Sequence, residues 1–271
     1  VLFVHFGITP WIGMIIAGLI AGLLSIVVGY PVFRLKGMYY ALATIALMSV
    51  FGLVFNNEEI VLGFDTGGPM GLRIPMTFLA SDMQFINKIW YYFIALALLV
   101  IILVFSYWLT RSKTGFYFRS IRANEDAAAS LGVNVLRYKL TSHFISAFFT
   151  AIGGAVYTTM NLFVGANAVF GIDMSFYMVI FCVVGGANTL WGPVLGALIL
   201  VPVQQALRIA TGTTLAPLSG MFYGVVLCLV ILFMPDGILG WLKARLDRKS
   251  SGGGELPTSA EKAEMGGGRD A

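Results

Sequence analysis

Apolar residues fill this chain in long unbroken runs rather than in alternation, and short polar or glycine-rich intervals part the runs. Seven segments stand out, at residues 11–33, 38–55, 89–109, 138–160, 174–186, 191–205 and 218–234. A helix needs about 20 apolar residues to cross a bilayer, whereas a barrel strand needs only about ten with alternating polarity. The pattern therefore predicts an all-α integral membrane protein, a polytopic bundle of about seven hydrophobic segments. Between Leu140 and Pro235 the only Asp, Glu, Lys or Arg residues are Asp173 and Arg208. Composition agrees, with 58% hydrophobic and 11% charged residues and a mean hydropathy of +0.87, against about 25% charged in soluble domains.

The net charge of +4 could suggest nucleic acid in a soluble protein, but its placement here points to membrane topology. Cytoplasmic loops collect Lys and Arg, and successive helices alternate in direction. The interval 110–137 holds Arg111, Lys113, Arg119, Arg122 and Arg137 against Glu125 and Asp126, and Lys139 follows. That side is predicted to be cytoplasmic. Residues 56–88, with Glu58, Glu59, Asp65 and Asp82, then fall outside, and the Arg34-Leu35-Lys36 link falls inside. Residues 161–173 are outside, the 186–191 turn inside, 208–217 outside, and the basic tail from Lys243 inside. Residues 1–10 lie on the outer side with no signal-peptide pattern, and the chain begins with Val1. The expectation is an N-terminally truncated chain lacking at least one preceding helix.

A transmembrane domain is predicted over 1–249, including an interfacial amphipathic segment at 238–249 with Trp241 and four basic residues, and a disordered cytoplasmic tail over 250–271. Cys182 and Cys228 lie in different predicted helices without metal-site spacing and read as packing residues. Among 32 glycines, Gly18/Gly22, Gly192/Gly196 and Gly220/Gly224 are four apart, a spacing that lets helices approach closely within the chain or against a partner subunit. Gly185, Gly186, Trp191, Gly192 and Pro193 interrupt an apolar stretch. Either a plain cytoplasmic turn or a broken helix lining a pathway accounts for them; charge topology favours the turn.

The interval 110–137 is the long charged segment set between two spans. Asn124 begins a candidate helix over 125–131, acidic at its start and closed by Gly132. Ala127, Ala128 and Ala129 give one side a low profile suited to a groove on another protein. An ordinary solvated helix fits equally well.

At Asp126-Ala127-Ala128-x-x-x-Gly132 the sequence resembles the EAA-x-x-x-G motif of ABC-importer permeases. Its wider context, SKTGFYFRSIRANEDAAASLGVNVLRYKL, is similar to the corresponding loop of LivM-type permeases of branched-chain amino acid importers. Three further stretches support this: RLKGMYYALATIAL (34–47) followed by TGGPMGL (66–72), VVGGANTLWGPVLGA (183–197) and MPDGILG (234–240). These marks run in the family's order from residue 34 to 240. Asp126 stands where many such permeases have Glu, and Ala187 replaces a glycine of the G-G-x-G run.

The resemblance implies a bacterial inner-membrane importer. Two permease subunits form the pathway, the second being LivH-like. An external binding protein delivers substrate, and two cytoplasmic ATPases drive alternating access by gripping the coupling helices. ATP is bound by those partners, since this chain carries no G-x-x-x-x-G-K-S/T loop and is read as a transport subunit rather than an enzyme, with no cofactor of its own. The residues assigned to ATPase coupling are Gly115, Arg119, Asn124, Glu125, Asp126, Ala127, Ala128 and Gly132. Implied cargoes are branched-chain amino acids, or urea and short amides within the same class.

Polar residues within the spans give the candidate pathway lining: Thr44, Ser49, Ser146, Thr150, Tyr157 and Asn161, with His143, Thr158, Gln204 and Gln205 as further polar groups. Each also suits a hydrogen bond within or between helices. His143, without a carboxylate within a helical turn, reads as an interfacial histidine rather than a proton relay. The scarcity of intramembrane carboxylates argues against a proton- or sodium-coupled carrier. An intramembrane enzyme would need a nucleophile–base pair or metal cluster, and His5 and His143 form neither.

Overall fold

The computed structural model describes residues 9–35, 37–58, 60–61, 64–65, 67–75, 83–85, 87–186 and 189–211, together with Gly7, Gly224 and Gly237. The elements in chain order are α1 (Pro10–Val32), α2 (Met38–Asn57), β1 (Ile60–Val61), β2 (Phe64–Asp65), β3 (Leu72–Arg73), α3 (Ile89–Arg111), α4 (Lys113–Ala123), α5 (Glu125–Ser130), α6 (Val135–Asn161), β4 (Phe163–Val164), α7 (Ala166–Val169), α8 (Ile172–Gly185) and α9 (Gly192–Thr211). Four of these, α1, α2, α3 and α6, are long and apolar enough to cross a membrane, with shorter apolar stretches at Met174–Gly185 and Gly192–Ala206. Six of the seven predicted segments thus appear as helices. The seventh, 218–234, lies outside the described residues apart from Gly224, as do the amphipathic segment and the tail.

The chain divides into two compact units, residues 1–175 and 176–271. In the first, α1 lies antiparallel against α6. Gly18, Gly22, Ser25 and Gly29 are all buried and recur every three or four residues, so they line one face of α1. Aromatic side chains of α6 fill the groove this face leaves. A Cβ on Gly22 would come within 2.5 Å of the Phe144 ring, and one on Gly18 within 2.9 Å of Phe148. The Gly18/Gly22 spacing therefore serves packing inside the chain. The Ser25 hydroxyl donates to the Gly22 carbonyl (2.7 Å), which satisfies a buried polar group within its own helix.

Against this pair α3 packs through Phe105 on Phe149 (ring centroids 5.0 Å apart). At its other end, buried Tyr91 donates to the Met83 carbonyl (2.7 Å) and accepts from the Phe85 amide (3.4 Å). Helix α2 buries none of its residues. It is held at its ends by Tyr40 stacked on Phe33 (5.4 Å) and Phe55 on Phe170 (5.3 Å). Outward faces are almost wholly apolar, with Leu23 at 60% and Val27 at 69% exposure on α1 and Val104 at 63% on α3. That composition matches hydrocarbon, where helices satisfy their own backbone.

The helical prediction omitted two short ribbons. β1 pairs antiparallel with β2, and β3 with β4 in the register Leu72↔Val164 and Arg73↔Phe163. The second ribbon joins the loop after α2 to the loop after α6, so both occupy one end of the unit. Pairing gives these loop backbones hydrogen-bond partners that helices would otherwise have supplied.

In the second unit, Val184 of α8 and Leu200 of α9, each 2% exposed, pack with Tyr177, Ile180 and Phe181. A Cβ on Gly185 would collide with the Gly192 carbonyl, and one on Gly196 with the Phe181 carbonyl. Backbone meets backbone here, so glycine is required at these positions.

If the α1–α6 groove fixes the first unit, Gly22→Leu should destabilise the detergent-solubilised chain by about 1–3 kcal/mol through overpacking. Thermal unfolding checks this, with Val27→Leu as the exposed control; equal apparent midpoints for both variants would refute the role given to the groove.

Candidate functional site

The interval predicted as one basic loop with a single helix is almost entirely helical. α3 runs on through Arg111, and α4 begins after one residue, Ser112. The Ser112 side chain caps α4 by accepting from the Gly115 amide at 3.3 Å. Gly115 is buried where the chain turns, and a Cβ there would strike the Leu109 carbonyl and Thr110. Gly115, Phe118 and Ile121 share the inward face of α4. That three-residue spacing was the available signal, obscured by the basic residues interleaved with it. The Arg119 guanidinium donates to the Thr110 carbonyl (3.3 Å), tying α4 to the last turn of α3.

Asn124 then N-caps α5, its side-chain oxygen accepting from the Ala127 amide at 3.0 Å. Glu125 and Asp126 occupy the first turn, where the helix dipole favours negative charge. The helix closes with Gly132 at φ +83°. The Val133 amide donates to the Ala128 carbonyl (3.1 Å) and the Gly132 amide to the Ala129 carbonyl (2.9 Å), the paired bonds of a Schellman ending. Asn134 caps α6 through the Arg137 amide (3.0 Å), which starts α6 at Val135, three residues earlier than predicted.

The predicted low-profile alanine side needs correction. Ala128 is 3% exposed and turns into the chain, so only Ala127 and Ala129 of the three are open. The projecting group is Leu131, 84% exposed at the end of α5. A single leucine after a short alanine-rich helix carries no sequence signal for the direction in which it projects. Glu125 pairs with Lys139 of α6 at 2.6 Å. Beside this pair lies a cavity of about 720 Å³ lined by Leu35, Tyr40, Glu125, Lys139, His143 and Ser146. His143 meets the Phe33 ring edge to face (5.5 Å).

Ser146, Thr150, Tyr157 and Asn161 are exposed along one strip of α6, with exposed Gly154 between them. They stand opposite the aromatics that pack on α1, because two residues onward is about 200° around a helix. The Asn161 side-chain amide donates to the Tyr157 carbonyl (2.9 Å). Thr44 and Ser49 do not join this strip. They donate to the Ala41 (2.8 Å) and Ile45 (3.0 Å) carbonyls of α2 and lie about 140° apart around it.

Gly185 ends α8, and Gly186 takes φ +113°. The Thr189 amide and hydroxyl both donate to the Gly186 carbonyl (3.1 and 2.9 Å). Gly192 opens α9 with Pro193 in its first turn, where the missing amide costs nothing, and Trp191 is 58% exposed. Ala187 and Asn188 lie outside the described residues.

Long apolar helices, lipid-compatible faces and a polar strip along one helix define a polytopic α-helical membrane protein. The family model described as branched-chain amino acid transport system / permease component matches residues 1–231, and the chain belongs to that family. It is 28% identical over 270 residues to the high-affinity branched-chain amino acid transport system permease protein LivM of Salmonella typhimurium, covering 91% of this chain and 61% of that protein. LivM of Escherichia coli matches at 28% over 271 residues with the same coverage. A probable LivM permease of Methanocaldococcus jannaschii matches at 25% over 241 residues, 83% of this chain and 68% of that protein. The chain spans about three-fifths of the length of the first two relatives. No solved structure matches.

With side chains 46% and 28% exposed, the Glu125–Lys139 pair is expected to show a coupling of roughly 0.2–1 kcal/mol. A double-mutant cycle of Glu125→Gln and Lys139→Gln read by thermal unfolding measures it; strictly additive effects would mean that the contact contributes nothing.

Proposed function

We propose that this chain is a membrane-spanning subunit of an ATP-driven importer that moves branched-chain amino acids across the bacterial inner membrane by alternating access. The observation that carries this reading is α5, a short helix capped at both ends, with Leu131 projecting at the basic end of the bundle. A rigid, capped helix with one exposed apolar anchor suits insertion into a groove on a soluble partner. Two of the arginines at this end are stacked on tyrosines one turn earlier: Arg34 over Tyr30 (4.9 Å) and Arg111 over Tyr107 (4.5 Å). Such aromatic–basic pairs suit a membrane interface, and positive charge marks the cytoplasmic one.

In this mechanism two cytoplasmic ATPase subunits bind ATP and grip α5, a LivH-like second permease supplies the other wall, and an external binding protein delivers cargo. Displacement of α5 passes through the Glu125–Lys139 contact and the Asn134 cap into α6. Helix α6 carries α1 with it through the glycine groove and presents Ser146, Thr150, Tyr157 and Asn161 to an aqueous path. Polar groups on an otherwise apolar span are costly against lipid and suit such a path.

The test is uptake of labelled leucine, isoleucine, valine, urea and a short amide by the complete complex in proteoliposomes. Uptake of the branched-chain amino acids is expected. Gly132→Val, which forces a β-branched residue to φ +83°, should lower uptake at least about tenfold, the equivalent of roughly 1.4 kcal/mol, with membrane insertion intact. Wild-type uptake by that variant would remove the coupling role; uptake confined to urea or amides would move the cargo assignment.

A further inference from the structure

A second concavity, of about 490 Å³, lies between α1 and α6 at the end of the bundle that carries α5. Its wall is largely apolar, made by Ile26, Leu136, Leu140 and Phe144 with Thr141 among them, and its mouth carries Asn134 and Arg137. No carboxylate lines it among the described residues; Glu125 and Asp126 border the other cavity, with Lys139. Arg137 is exposed, and among the described residues nothing engages its guanidinium. Its amide is taken by the Asn134 cap and its carbonyl by the Thr141 hydroxyl (2.8 Å).

Depth decides what fits. The Tyr30–Arg34 and Tyr107–Arg111 pairs mark the headgroup level at this end of α1 and α3, and Arg137 opens α6 at the same end. From Arg137 to Phe144 is seven residues, about 10 Å along a helix. The groove therefore runs from the headgroup level into hydrocarbon, with a cation at its mouth and no anion to neutralise it.

We infer that this groove is a binding site for one anionic phospholipid of the inner leaflet, with an acyl chain along Ile26, Leu140 and Phe144 and the phosphate on the Arg137 guanidinium. An interfacial arginine over an apolar cleft offers a phosphate two parallel N–H donors, and basic sites of this kind on the cytoplasmic side attract acidic headgroups. The leaflet rests on the sidedness proposed above; the groove and its cation do not. The site adjoins the junction of α5 and α6, so its occupant would brace the segment through which the ATPases act.

The experiment is native mass spectrometry of the full-length chain released from detergent after exchange into phosphatidylglycerol or phosphatidylcholine. Wild type should retain one phosphatidylglycerol more tightly than phosphatidylcholine. Arg137→Gln should weaken phosphatidylglycerol retention about fivefold, the loss expected for one interfacial cation, and leave phosphatidylcholine unchanged. Leu140→Trp, which fills the cleft while keeping Arg137, should also displace the lipid. Equal retention of the two lipids by wild type, or undiminished phosphatidylglycerol retention by Arg137→Gln, would overturn the proposal. So would a disulfide crosslink from Thr141→Cys to the second permease subunit in the intact complex, because protein would then cover the groove. Labelling of Lys113→Cys by a membrane-impermeant maleimide tests sidedness separately. Reaction from the outer side would overturn the inner-leaflet assignment along with the coupling topology, while lipid retention in detergent still reports on the groove.

Discussion

The first unit depends on one constraint, the close approach of α1 to α6 along Gly18, Gly22, Ser25 and Gly29. In hydrocarbon there is no hydrophobic drive to bring helices together, so association rests on contact area and shape. A face of small residues supplies the shape, and the Phe144 and Phe148 rings supply the area. Much follows from this placement. The opposite face of α6 is left open, and it is the face that carries Ser146, Thr150, Tyr157 and Asn161. The same contact brings the last turns of α1 beside the first turns of α6, which creates both cavities at that end.

Helix ends at the basic end of the bundle are specified by side chains rather than by packing. Ser112, Asn124 and Asn134 each cap the helix that follows, and Gly132 takes the left-handed conformation that ends α5. Three caps within some twenty residues fix the path of a segment with little buried surface of its own. Precision there matters if a partner is to grip it. A capped helix transmits displacement as a rigid piece, whereas a solvated loop would absorb it. The glycines of the α8–α9 turn do related work in the second unit, where Gly185, Gly192 and Gly196 let two backbones touch.

Helix α2 contrasts with these. It buries none of its residues and is held chiefly by aromatic stacking at its two ends. Exposure of that extent in an apolar helix is what lipid or a neighbouring subunit would cover. The four-residue strip on α6 and the bare flank of α2 are therefore open surfaces of different chemistry, one polar and one apolar.

The membrane class, six of the helices and the caps at Asn124 and Gly132 were legible in the sequence, because length, hydropathy and end-capping act over a few neighbouring residues. Helix α4 was missed because its Gly115, Phe118 and Ile121 face is narrow and sits among basic residues that read as a loop. The ribbon between β3 and β4, the burial of Ala128, the exposure of Leu131 and the groove beneath Arg137 were not legible at all. Each depends on what a residue meets across the bundle, and spacing along one helix does not say which face that will be. The sequence by itself determined that this chain lives in a bilayer, where most of its helices lie and how several of them end. Tertiary structure decided which glycines face which rings, and so which polar and basic groups remain open to a pathway, a partner or a lipid.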